Sequence, residues 1–361
     1  MKIFLNHLND YRVLTTIDNT VLNRNTANNF IARTCPNLDT WQVSVQTACE
    51  IKTASSSAGA QLYQVAAETS LTVCLTASSH MLQESFPYPA DISYLNSQHE
   101  KICESIAQPY EHLYCEKNAI HIPDSYSHCV LSPKMAAKLI HEALGHLAEA
   151  DHILAKAPQA PFLCIPRISD KITVVDYAHT AFGKTVPIPI YIDDEGITAQ
   201  DVTIISKGQI GACMTNLETS ALLDKPLTGN ARAATYKNEP LVRMRNTALH
   251  PWHDDPTQMI ASIEDGYYLV DSSEDGSDPN GEFASKISVG YRIRNGQICE
   301  SIKDCVIWGD SADFLNSISM VGNDFEWQVD DCTKLSGSKA QKIKIASGAP
   351  TIKANLNIGV L

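Results

Sequence analysis

Leu139-Ile140-His141-Glu142-Ala143-Leu144-Gly145-His146-Leu147 decides how this chain is read, because two imidazoles flanking a carboxylate can hold a metal and act on water beside it. Neutral imidazole is the commonest protein ligand for zinc, and a catalytic zinc site takes three protein donors and leaves the fourth position to water. Glu142 is the candidate general base, since a metal lowers the pKa of water to about 7 and a nearby carboxylate can take the proton. The two histidines stand five residues apart, which on a regular helix separates them by about 140°. Both reach one ion only if the helix is locally widened. A π-bulge does this, and Gly145, directly before the second histidine, makes the distortion cheaper.

The flanks predict a helix around the motif. Ser132 reads as its N-cap with Pro133 at the first helical position, and Met135, Leu139, Ala143, Leu147 and Ala150 make an apolar stripe. The same pattern also suits a buried amphipathic helix with two hydrogen-bonded histidines, since short His-Glu motifs arise by chance. Glu149, Asp151 and His152 lie close enough in sequence to be candidates for a third donor.

A chain of 361 residues is long enough for two domains. The expected class is α+β: an N-terminal α/β region over 1–125, then a mostly antiparallel β domain over 126–361 carrying the metal-binding helix. In the first region Gln42-Val43-Ser44-Val45 and Leu71-Thr72-Val73-Cys74-Leu75 read as strands, Ser97 to Tyr110 as a helix, and Pro87 and Pro89 as a loop. In the second, Val202–Ile205 and Ile210–Cys213 flank the turn Lys207-Gly208-Gln209, and Asn295-Gly296 marks a hairpin. Residues 271–282 read as a polar loop or linker.

Composition narrows the function classes. A net charge of −13 with a pI near 5.3 argues against binding a phosphate backbone, so no nucleic-acid partner is expected. Eleven cysteines, an odd number with no C-x-x-C pair, read as reduced thiols in a cytoplasm. The opening Met1-Lys2-Ile3-Phe4-Leu5 is broken by Asn6 and His7, too short for a signal peptide, and no apolar run approaches a membrane span.

His141-Glu142-Ala143-Leu144-Gly145-His146, followed by Glu149 and Asp151, closely resembles the HExxxH segment of the TldD/PmbA family of metallopeptidases. Ile192-Asp193-Asp194-Glu195-Gly196 is similar to its DDEG segment, and Leu227-Thr228-Gly229-Asn230-Ala231-Arg232 to its TGN-x-R segment. Pro240-Leu241-Val242-Arg243-Met244-Arg245-Asn246-Thr247 and Ile318-Ser319-Met320-Val321-Gly322-Asn323-Asp324 resemble two further stretches in the same order. The likeness runs from about His121 onward and weakens upstream, where the N-terminal region looks shortened or divergent.

The resemblance implies a TldD-like catalytic branch, a zinc cofactor, and Cys332 as the third ligand beside His141 and His146. It further implies that Glu149 and Asp151 orient the histidines, and that Arg232, Arg243, Asn246 and Asn323 are candidates for holding substrate, with structural ion pairing an equal reading. The implied function is hydrolysis of amide bonds in unfolded or modified peptides, such as peptide natural-product precursors. The implied partner is a metal-free PmbA/TldE-like subunit or a second copy of the chain. A non-catalytic peptide-binding or assembly subunit with a structural metal, and a small-molecule amidohydrolase, are the competing readings. His250, His253, Asp254 and Asp255 read as an exposed turn rather than a second metal site.

Overall fold

The computed structural model describes residues 5–15, 29–35, 38–56, 61–77, 80–88, 106, 110, 119–156, 160–235, 237–337 and 339–360. The chain is mixed α and β, rich in sheet, and divides into two compact units, Met1–Asn118 and Ala119–Leu361.

The first unit holds a four-stranded antiparallel meander: Leu5–Thr15, Thr40–Ser56, Gln61–Ala77 and His80–Tyr88. Leu71, Val73 and Leu75 are buried while Thr72, Cys74 and Thr76 between them are half-buried, the period-2 alternation of a sheet with one face on a core. Both strand readings of the sequence fall inside this meander. Pro87 does not mark a loop: it lies in the edge strand His80–Tyr88 opposite Ser70, where a missing N–H is tolerated because an edge strand has one unpaired side. Pro89 lies outside the described residues, and of the expected helix Ser97 to Tyr110 only Ile106 and Tyr110, both helical, are described.

The second unit carries two large sheets. Asp265–Ser277, Ser125–Leu131, Ile352–Val360, Cys305–Asp310 and Glu282–Arg294 pair in that order, and Glu282–Arg294 pairs back onto Asp265–Ser277, closing a β-barrel. Ile352, Ala354, Leu356 and Ile358 line its core from one strand. The other sheet runs Gln209–Ile210, Val202–Ser206, Val174–Tyr177, Asn246–Leu249, Lys339–Ala349 and Glu326–Ser336. Two pairings are parallel, Asn246–Leu249 with Lys339–Ala349 and Asp265–Ser277 with Ser125–Leu131; the remaining pairings of these sheets are antiparallel. Lys207 and Gly208 both take positive φ in one tight turn and Asn295 and Gly296 in another, the conformation that a two-residue hairpin demands.

The stretch 271–282 is not a loop. The strand runs on to Ser277, paired through Ser277 to Phe283, with register shifts between Leu269 and Glu274. Cross-strand pairing in the closed barrel overrides the low strand propensity of its Ser, Asp and Gly residues, and bulges absorb the misfit. The turn itself is only Asp278 to Gly281, with Asp278 Oδ1 accepting from the Asn280 and Glu282 amides.

One helix links the two sheets. Ser132 Oγ accepts from the Met135 amide and Pro133 occupies the first turn of Pro133–Ile140. Met135, Ala136, Ala137, Leu139 and Ile140 are buried against strands of both sheets. The helix then widens into a π-turn, His141–Gly145, in which the His146 amide donates to the His141 carbonyl. A 3-10 turn, His146–Ala148, follows, and Glu149 breaks the helix in extended conformation. Outside the turn, Lys134 and Lys138 clamp Asp271 of the barrel, Nζ to carboxylate 2.6 and 2.8 Å. Burial would raise the Asp271 pKa, but the two ammonium groups outweigh it and hold it below the usual 3.8.

Because its folded pKa is depressed, Asp271 contributes stability that is complete above its unfolded pKa and is lost as pH falls through the folded value. Asp271→Asn should therefore cost about 1.5–3 kcal/mol at pH 7, the scale for hydrogen bonds to a charged group. The gap from wild type should narrow below about pH 4, as read by urea denaturation at the two pH values. Gly145 is a second test. A methyl built on it runs into the Sδ of buried Met244, so Gly145→Val should destabilise by about 1–3 kcal/mol through overpacking, and adding Met244→Ala should recover part of the loss.

Candidate metal centre

The π-turn brings His141 and His146 onto one side of the helix, with ring centroids 4.7 Å apart and planes at 77°. Cys332 arrives from the edge strand Glu326–Ser336, and one donor atom from each of the three residues lies within 4.8 Å of the others. His141 and Cys332 are buried, and His146 nearly so. The strand is held in place by Arg243, whose guanidinium donates to the Cys332 carbonyl from one nitrogen and to the Gln341 carbonyl from another at 3.3 Å.

The donor set suits a zinc ion. With Zn–S of about 2.3 Å and Zn–N of about 2.0–2.1 Å, a tetrahedral site has a sulfur-to-nitrogen edge of about 3.6 Å. Cys332 Sγ and His146 Nε2 stand 3.6 Å apart. Electrostatics favours the thiolate that such a site needs: burial opposes it, but the His141 and His146 rings outweigh burial and pull the Cys332 pKa down to about 5. Burial works against charge on His146 as well, yet Glu149 and the sulfur of Cys332 push its pKa well above the ordinary imidazole value.

Glu149 is fully buried, and its Oε2 lies 3.1 Å from His146 Nδ1. A carboxylate can only accept, so Nδ1 carries the hydrogen and Nε2 faces Cys332. Glu149, Asp151 and His152 also cluster, but a fixed cation already sits among them. Lys334 Nζ donates to Glu149 Oε2 at 2.9 Å, to Asp151 Oδ1 at 2.8 Å and to the Val242 carbonyl at 3.0 Å. Burial lowers the Lys334 pKa and the two carboxylates more than restore it, while the Glu149 carboxyl, against its own burial, is held far below the usual range by Lys334 and His146.

Glu142 projects from the π-turn beside His141, its Oε1 3.9 Å from His141 Nε2. Its Oε2 accepts from Ser277 Oγ at 2.8 Å. Ser277 and Lys334 are the two side chains at this site that sequence reasoning missed. Lys334 had a signal, since it stands two residues after Cys332 and strand alternation puts both on one face. Ser277 had none, because its segment reads as a loop until the barrel pairs it.

The remaining candidates are not part of the donor cluster. Arg232, buried, donates to the carbonyls of Met244 and Lys344, each at 2.8 Å. Asn246 bridges the backbones of Tyr177 and Ile188. Asn323 is exposed in the turn before the Cys332 strand, and its neighbour Asp324 binds Thr351. Asp193 accepts from the amides of Glu195, Ile197 and Ala231, and Asp194 from that of Ala233. His250 pairs with Tyr177, Asp254 with Lys171, and Asp255 caps the helix Pro256–Ala261.

Known proteins resemble this chain in sequence and in fold. Residues 124–359 match the sequence model of the PmbA/TldA metallopeptidase C-terminal domain. A zinc metalloprotease TldD homolog of Saccharolobus solfataricus is 35% identical over 232 residues, 64% of this chain and 51% of that protein. A metalloprotease of Archaeoglobus fulgidus is 28% identical over 248 residues, 67% of this chain and 55% of that one. The aligned stretch thus covers about half the length of these relatives. In fold, TldE from Thermococcus kodakarensis superposes with a TM-score of 0.70 at 16% identity, over 93% of this chain and 72% of its own. Among the described residues no helix is long and apolar enough to cross a membrane. With the family model spanning 124–359, most of the chain, this protein belongs to the PmbA/TldD metallopeptidase family.

Proposed function

We propose that this chain is a zinc-dependent peptidase of the TldD-like branch, with His141, His146 and Cys332 as metal ligands and Glu142 as general base. The observation that carries the reading is the convergence of two imidazoles and a thiolate-prone cysteine at the spacing of a tetrahedral site. Zinc held there supplies a Lewis acid for the scissile carbonyl and acidifies water. Glu142 takes a proton from the attacking water and passes it to the leaving amine nitrogen. Glu149 fixes His146 in the tautomer that turns Nε2 inward, and Lys334 keeps Glu149 charged for that role.

Lys334 also bears on catalytic against structural use of a metal. A structural site closes its fourth position with a protein donor such as Asp151 or His152, and of these Asp151 is bound to the Lys334 ammonium instead. This favours the enzyme over the assembly subunit. Substrates are extended peptides, unfolded or modified, among them precursors of peptide natural products. The strand with Cys332 ends the six-stranded order, and an edge strand can take a further strand from a peptide. The working form pairs with a PmbA/TldE-like subunit or a second copy, in a cytoplasm.

Metal analysis of the purified protein, followed by mass spectrometry of a peptide mixture with and without chelator, tests the reading as a whole. We expect close to one zinc per chain, lost sharply in His141→Ala, His146→Ala and Cys332→Ala; full zinc in Cys332→Ala would remove that ligand. Glu142→Gln should keep the metal while losing about 100-fold or more in turnover, and near-normal turnover would exclude it as the base. Peptides N-methylated near the scissile bond should be cut more slowly than their parents, each lost ladder bond weakening binding by about 0.5–1.5 kcal/mol. Equal rates would point to recognition by side chains or termini and to the small-molecule amidohydrolase.

A further inference from the structure

Glu142 has two carboxylate oxygens, and the fold treats them differently. Oε2 accepts from Ser277 Oγ at 2.8 Å, and Oε1 lies 3.9 Å from His141 Nε2. The side chain is 12% exposed, so little water competes for either atom. Ser277 is the last residue of Asp265–Ser277 and is paired with Phe283 across the barrel ladder. Its hydroxyl therefore comes from a paired strand on a different part of the chain from Glu142. A base on a π-turn has only its own three side-chain torsions to fix it, and freezing rotamer freedom of that kind is costly. A hydrogen bond from a strand to a charged oxygen is among the stronger kinds and offsets that cost, favouring a single rotamer.

We infer that Ser277 is a positioning residue for Glu142: its hydroxyl occupies Oε2 and leaves Oε1, on the His141 side, as the atom that accepts the proton. This rests on the reading of Glu142 as the general base. Ser277 is also one wall of an open cavity of about 670 Å³, together with Gly276, Phe283 and Trp308, so its substitution could act on substrate binding instead. The two roles separate in the kinetics. A positioning residue acts on kcat, whereas a wall acts on KM.

The experiment compares Ser277→Ala, Ser277→Thr and Glu142→Gln in the zinc-loaded protein, by kcat and KM on a peptide substrate, by zinc content, and by crystallography of the Glu142 side chain. Ser277→Ala should retain zinc and KM, lose about 10–100-fold in kcat, the range for residues that orient a metal-site group, and show Glu142 in more than one rotamer. Ser277→Thr keeps the hydroxyl and should restore most of kcat and the single rotamer. An unchanged kcat in Ser277→Ala, with Glu142→Gln inactive, overturns the inference and leaves the proposed function standing. A raised KM at constant kcat, or an unmoved Glu142 in the Ala variant, also overturns it in favour of the wall. Full activity in Glu142→Gln overturns both.

Discussion

Two imidazoles five residues apart converge only where a helix is wound more loosely than 3.6 residues per turn. Everything around the site serves that constraint. The His141–Gly145 π-turn supplies the extra residue, and the buried stripe before it anchors the helix so that the irregular part cannot relax by sliding. Gly145 lets Met244 close over the widened turn, as no side chain could at that position without moving it. Glu149 then ends the helix in extended conformation, tied by the Ala150 amide to the Met214 carbonyl and by the Met214 amide to the Ala148 carbonyl. The break is what turns the Glu149 carboxylate back under His146.

A buried carboxylate needs a partner, since leaving it alone costs several kcal/mol. Among the described residues Asp176 and Glu149, like Asp271, meet this need with a cation. Asp176, fully buried, accepts from Arg245 Nε at 2.8 Å, and from Asn230, Thr247 and the amides of Arg245 and Asn246. Glu149 is matched by Lys334 in the same manner. Both pairs join segments far apart in sequence, and each ties a strand of the six-stranded sheet to a segment outside that strand. In this light the charged residues of the recognisable motifs act mainly on the backbone. Arg232 and Arg243 spend their guanidinium groups on carbonyls, and Arg243 does so at Cys332 itself.

Local pattern made the helix readable: Ser132, Pro133 and the apolar stripe are nearest-neighbour signals, and the histidine spacing called for a widened turn if both rings were to reach one ion. The turns read at Lys207-Gly208-Gln209 and Asn295-Gly296 were legible for the same reason, because positive φ favours Gly and Asn. What local pattern could not show is pairing that runs against composition. Residues 271–277 have loop composition and become strand only through the ladder with Phe283 to Val289, so Ser277 stayed hidden. Arg232, Arg243 and Asn246 have the chemistry to bind a carboxylate, and in the fold they donate to backbone carbonyls, which no local pattern reveals. Cys332, one of eleven cysteines, stood out by its position after a recognisable motif and by nothing in its own neighbourhood.

The three donor atoms also explain why the protein surroundings are charged as they are. Burial alone would keep the Cys332 thiol protonated, as it does for Cys129, pushed well above the usual thiol range, and for Cys305, pushed up to about 12. Cys332 is just as enclosed and moves the opposite way, to about 5, because two imidazoles face its sulfur. The sulfur in turn stabilises positive charge on both rings. The cluster is thus arranged for a shared positive charge, carried either by protons on the rings or by a cation among the three atoms. Protons and metal compete for the same lone pairs, and metal binding to such a set releases protons. Glu149 biases that competition through geometry: by taking the Nδ1 hydrogen of His146 it leaves Nε2 as the atom that must be shared.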